Sequence, residues 1–270
     1  MMISLDWKER LKKDAIDFVE NKIPQKYYDI DVIYNIYPER IDNKVPSIIV
    51  TFVAKILASK MAKNAEKYFD FYDYIIKNKD SEGIIVFGYI MAKAVMKKPE
   101  IFFDYIHKVL QEIKNKKDCN FIMDKAILPL LKKMPEIYPF KLLSWVSSDN
   151  DLLVEAVSRI IIKFISANPE YIKPIFKKME TSWLYATPQM IKFNIEFIKA
   201  IANMDKEFYF SIYKNYKSTR NLIFAEILHG AMKLYHPVME EIANNWAKSG
   251  NVKLKKIGKS SQKIVKKLKK

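Results

Sequence analysis

Glycine, cysteine and histidine are all scarce in this chain, which has five, one and three of them respectively among 270 residues. Tight hairpins and phosphate-cradling loops depend on positive backbone φ. So few glycines argue against an all-β barrel and against a dinucleotide-binding fold. Gly83 and Gly88 bracket an apolar stretch with no Lys-Ser/Thr behind it, which is not a phosphate loop. Cys119 alone can form neither an internal disulfide nor a cysteine zinc cluster. His107, His229 and His236 show no HExxH or Cys/His spacing, so no metal and no cofactor are expected, and His229 and His236 read as packing or capping residues.

Long hydrophobic runs are also missing. The longest, Ile84 to Ala92, is about half of the ~20 residues that span a bilayer. Met1 to Arg10 carries Asp6, Lys8 and Glu9 and does not read as a signal peptide. The expectation is a cytoplasmic protein with no transmembrane segment.

Apolar residues, by contrast, make up 50% of the chain, with 16 Phe, 16 Tyr and 4 Trp, enough for a substantial core. The formal net charge is +16; residues 248–270 hold ten lysines and no acid, which leaves +6 for the rest. A basic excess of this kind points to a polyanionic partner.

One short pattern recurs. Asn64-Ala-Glu-Lys-Tyr-Phe, Lys98-Pro-Glu-Ile-Phe-Phe, Met134-Pro-Glu-Ile-Tyr, Asn168-Pro-Glu-Tyr-Ile and Met204-Asp-Lys-Glu-Phe-Tyr share a start, and His236-Pro-Val-Met-Glu-Glu is a looser copy. Ala65, Pro99, Pro135, Pro169, Asp205 and Pro237 then stand 34, 36, 34, 36 and 32 residues apart. Proline suits the first helical position, where its missing N–H has no partner anyway. Glu66, Glu100, Glu136 and Glu170 suit the positive end of the helix dipole. Between these starts run longer apolar stripes at helical spacing, over 151–167, 189–204 and 221–234, with Ser148-Asp149-Asn150, Thr187-Pro188 and Ser218-Thr219 as their caps.

The repeating unit is therefore a helix A of about 16 residues, a tight turn and a helix B of about 12. This length predicts an all-α, HEAT-like superhelix (solenoid) of about six pairs over 44–249, capped by 1–43 with its Tyr-rich turn at Tyr27-Tyr28, Tyr34 and Tyr37-Pro38. Residues 250–270 read as a basic tail whose weak stripe (Leu254, Ile257, Ile264, Val265, Leu268) becomes helical on contact with a partner.

Chemistry concentrates at Leu142 to Leu152, where Trp145 closes one helix B and carboxylates open the next helix A, with Arg159 and Lys163 further along it. Trp145, the Ser148-Asp149-Asn150 turn, the apolar helix after it and Asn168-Pro169-Glu170 together resemble the bacterial DNA alkylation repair family over roughly 118–250. The resemblance implies HEAT-like repeats around a cationic concave groove that holds duplex DNA, with excision of alkylated purines in the family's glycosylases. Trp145 and Asp149 have the spacing of those enzymes' Trp and Asp, which makes Asp149 the candidate catalytic carboxylate. The family's Arg pair falls here on Val154-Glu155, with Arg159 one turn later.

The candidate nucleic-acid-binding residues are Trp145, Arg159, Lys163, Lys177, Lys178, Lys214, Lys217 and Arg220, with Lys141 and Lys173 on the same helix-B positions and Trp183 and Trp246 as further aromatic contacts. Phosphate contacts of this type confer affinity without reading sequence. Two other readings remain open: a protein-interaction scaffold for an acidic partner, and reversible contact of the 250–270 tail with a membrane surface.

Overall fold

A computed structural model describes residues 6–23, 29–35 and 37–269. Tyr27 and Tyr28, expected in a turn of the N-terminal cap, lie outside the described residues. The fold is all-α: helices follow one another along the chain, and the described residues contain no β-strand beyond an isolated bridge between Ile41 and Lys44. The chain divides into two compact units, Met1–Pro135 and Glu136–Lys270.

The first unit holds α1 (Trp7–Val19), α2 (Asp31–Tyr34), α3 (Ser47–Met61), α4 (Phe69–Asn78), α5 (Asp80–Lys97), α6 (Pro99–Glu112), α7 (Lys116–Ile122) and α8 (Leu128–Lys133). Helix α5 is its centre and packs on α3, α4, α6 and α7. Its burial on several sides explains the long apolar run: Ile84, Val86, Phe87, Ile90, Met91, Ala94 and Val95 are all buried. Gly83 and Gly88 lie inside this helix. A Cβ on Gly88 would come within 2.6 Å of the Phe121 ring, so glycine there seats an aromatic from α7. Between α7 and α8, Met123–Ile127 is a π-turn in which the N–H of Leu128 reaches the carbonyl of Met123. Pro129 follows directly and has no N–H to donate, a common cause of such a local rearrangement.

The second unit holds α9 (Tyr138–Leu142), α10 (Asp151–Ala167), α11 (Ile172–Glu180), α12 (Pro188–Met204), α13 (Lys206–Asn215), α14 (Leu222–Gly230), α15 (Pro237–Ala247) and α16 (Val252–Leu268). Its helices form two layers. The A helices stack in sequence, α10 on α12, α12 on α14 and α14 on α16. In the B layer α9 packs on α11, α11 meets α13 through Phe176 and Phe208 (ring centroids 5.3 Å apart), and α13 packs on α15. Bonds at the repeat spacing tie successive pairs together: Tyr171 Oη donates to Glu136 and Tyr216 Oη to Glu180, both at 2.5 Å.

Helix starts follow the predicted column with local shifts. Pro99 and Pro237 occupy first turns, and Asp205 caps α13 by accepting from the N–H of Phe208 at 2.9 Å. Pro135 does not start a helix; α9 begins at Tyr138-Pro139 instead. His236 caps α15, its Nδ1 accepting from the N–H of Val238 at 3.1 Å. Asn221, rather than Ser218 or Thr219, caps α14.

The predicted tail is the largest correction. Residues 252–268 form a helix that occupies the next place in the A layer, capped by Asn251 and buried at Leu254, Gly258, Ser261 and Val265. A Cβ on Gly258 would stand 2.2 Å from the main-chain nitrogen of Ala247 and 2.5 Å from the carbonyl carbon of Trp246, so α16 approaches α15 backbone to backbone. Ser261 Oγ pairs with His229 Nδ1 at 2.8 Å, and Lys269 with Glu240 at 2.7 Å.

Candidate nucleic-acid interface

In the second unit, four turns lead from a B helix to the next A helix: 143–150, 181–187, 216–221 and 248–251. Each ends in a residue whose side chain caps the following helix: Asn150, Thr187, Asn221 and Asn251. Capping satisfies N–H groups that the first turn would leave without partners. These turns are neighbours along one edge. The first two line a common pocket of about 260 Å³ with Phe140, Met179 and Phe193. Trp183 of the second lies 5.2 Å from Tyr216 of the third, and the third and fourth share a cleft of about 420 Å³.

The edge is cationic for a local reason. The last turns of α9, α11 and α13 carry Lys141, Lys177, Lys178 and Lys214, where a positive charge opposes the helix dipole. Lys217, Arg220 and Lys248 add charge in the turns, and all seven side chains are exposed. The opposite ends of the B helices carry Glu136, Glu170, Glu207 and Glu240 at or beside their first turns, while Glu180 ends α11 at the cationic edge itself, accepting from Tyr216. Two of the carboxylates at the opposite ends are engaged as well. Glu136 accepts from Tyr171, whose hydroxyl is pushed up to about 12 chiefly by that bond, and Glu240 is lowered by its bond to Lys269.

The cleft of the third and fourth turns is lined by Lys217, Arg220 and Lys248, by Ser218, Thr219 and Ser249, and by Asn245, with no acidic side chain in its wall. Glu241 stands beside it, 3.9 Å from Lys217 Nζ. The floor is fixed by Trp246, whose indole N–H donates to the Thr219 carbonyl at 2.9 Å. Thr219 and Ser249 hydroxyls each accept from a main-chain N–H two residues on, at 3.4 and 3.1 Å.

The predicted site residues separate into three groups. Lys217 and Arg220 come together in the cleft, and Lys177, Lys178 and Lys214 stand at the same edge. Trp145 does not face outward: it is 2% exposed within a 3₁₀ turn, Leu143–Ser147. Trp183 and Trp246 are equally buried, so the tryptophans anchor turns rather than present rings to a ligand. Asp149 is exposed on the first turn. Arg159 and Lys163 lie 10 and 14 residues further along, about 15 and 21 Å at 1.5 Å per residue, and each has partners within the protein.

Two features of this edge have no counterpart in the sequence reading. Tyr185 is 84% and Leu184 54% exposed on the second turn, and Lys248 joins the cleft. The tyrosine and leucine follow Trp183 in one 3₁₀ turn, and only the burial of Trp183 reveals which way they point.

Among the described residues no group of three or more His, Cys, Asp or Glu side chains is placed to hold a metal ion, and no helix is long and apolar enough to cross a membrane. Compared with family models, with curated proteins and with solved structures, the chain matches none.

Proposed function

We propose that the second unit binds nucleic acid along the edge formed by its B-to-A turns, holding the phosphate backbone of a duplex without reading its sequence. The observation that carries this reading is an excess of cations: six exposed lysines and an arginine recur at consecutive turns of one edge and outnumber Asp149, Asp151, Glu180 and Glu241 beside them, while Glu136, Glu170, Glu207 and Glu240 lie at the opposite ends of the B helices. Cations in a row suit a polymer of regularly spaced anions, and their release of counterions makes affinity depend steeply on salt. Tyr185 supplies an exposed ring beside them.

Base excision of the kind the resembled family performs has no support in the geometry, because Trp145 is inside the core and Asp149 lies on an exposed turn. The alternative of an acidic protein partner draws on Leu184, exposed at the same edge. Titration of a fluorescent duplex at low salt separates the two. Binding that weakens log-linearly with added salt supports the nucleic-acid reading; absence of binding at low salt removes it.

A further inference from the structure

Lys141, Lys177, Lys178 and Lys214 stand outside the cleft of the third and fourth turns, which is a recess of its own. Its volume of about 420 Å³ falls within the ~300–1,000 Å³ of sites that enclose small ligands. Backbone diesters running along a surface do not need such a recess. A terminal phosphate does, because it ends a strand and carries more charge, about −1.5 to −2 near neutrality for a monoester.

We infer that this cleft is a receptor for a terminal phosphate monoester, the 5′- or 3′-phosphate of a nucleic-acid strand whose following phosphates continue along the lysine edge. The inference rests on the nucleic-acid reading above. Lys217, Arg220 and Lys248 approach the recess from two different turns, and a planar guanidinium with two ammonium groups suits a dianion with three oxygens. The hydroxyls of Thr219 and Ser249, which line the cleft, each accept from the backbone and keep an O–H to donate. The Trp246–Thr219 bond ties the end of α15 to the third turn, so the backbone that carries these cations is set before any ligand arrives. A phosphorylated peptide offers the same dianion. It is disfavoured because exposed Lys178 and Lys214 at the neighbouring turns match anions that follow in series.

The test compares labelled duplexes with 5′-phosphate, 3′-phosphate or hydroxyl ends, with a phosphothreonine peptide as a further probe. The wild-type protein should prefer one phosphorylated end by about tenfold, the scale of one charge-assisted bond. Inorganic phosphate in the millimolar range should erase that preference without displacing the hydroxyl-ended duplex. In the double variant Arg220→Ala/Lys248→Ala the preference should vanish, with affinity for the hydroxyl-ended duplex reduced only as far as in Lys178→Ala/Lys214→Ala, a pair outside the cleft whose loss should leave the preference intact. A wild-type protein that binds all ends equally overturns the inference and leaves the edge reading standing. Binding of none of the duplexes overturns both, and tighter binding of the phosphopeptide, lost in the double variant, reassigns the cleft to a protein ligand.

Discussion

The indole N–H of Trp246 donates to the main-chain carbonyl of Thr219 at 2.9 Å, so the last turn of α15 is fastened to the loop between α13 and α14. Trp246 is 1% exposed, and Thr219, whose carbonyl it satisfies, is half-buried. Trp246→Phe keeps most of the apolar volume and removes the donor. It should cost about 1–3 kcal/mol in urea unfolding, the range for a buried polar group left without its partner. It should also loosen the cleft, visible as a smaller preference for phosphorylated duplex ends.

Gly258→Ala tests the place of α16 in the A layer. The added methyl would meet the Ala247 backbone, which cannot turn aside as a side chain can. A loss of about 1–3 kcal/mol is expected, with faster amide exchange across 252–268. Unchanged stability and exchange would show that α16 does not depend on this approach.

Stability of the second unit should fall as the pH drops below neutrality. Burial lowers the pKa of His229 from 6.5, against a smaller opposing pull from Glu226. Between the ordinary value and the lowered one the unfolded chain binds the proton and the folded chain does not. Stabilisation is therefore complete above about 6.5 and is lost as pH falls through the folded value. His107 in the first unit is lowered by burial as well, with the same sign. NMR titration of the ring protons should place His229 below 6.5, and His229→Gln should reduce the acid sensitivity of the Ser261 contact it makes at 2.8 Å.

Trp145 and Asp149 should behave in opposite ways. Trp145→Ala empties a core position and should cost about 3–5 kcal/mol. Asp149→Asn changes an exposed side chain and should stay within about 0.5 kcal/mol, with duplex binding unchanged or slightly stronger.

The helix pairs were legible because proline, acid and aromatic residues recur at the position where a helix begins, and because the stripes of α10, α12 and α14 face one core. Helix α16 was not, because its buried line includes Gly258 and Ser261, whose role appears only when the α15 backbone and His229 are beside them. The seven lysines of 252–268 around that line read as part of a basic tail. At the site, Lys217 and Arg220 share one turn and could be paired from sequence, whereas Lys248 reaches the cleft from a different turn. The outward reading of Trp145 failed for a related reason: spacing cannot say whether a ring beside a turn faces core or solvent.

The central claim is that the B-to-A edge contacts phosphates. Measuring the slope of log affinity against log salt for a duplex tests it most directly, in the wild type and in Lys178→Ala/Lys214→Ala/Lys217→Ala, with Lys206→Ala at the other end of α13 as the control. Each lost contact should lower the slope by about 0.9, so the triple variant should lose about 2–3 units and the control none. Equal slopes in all three proteins would contradict the assignment of this edge.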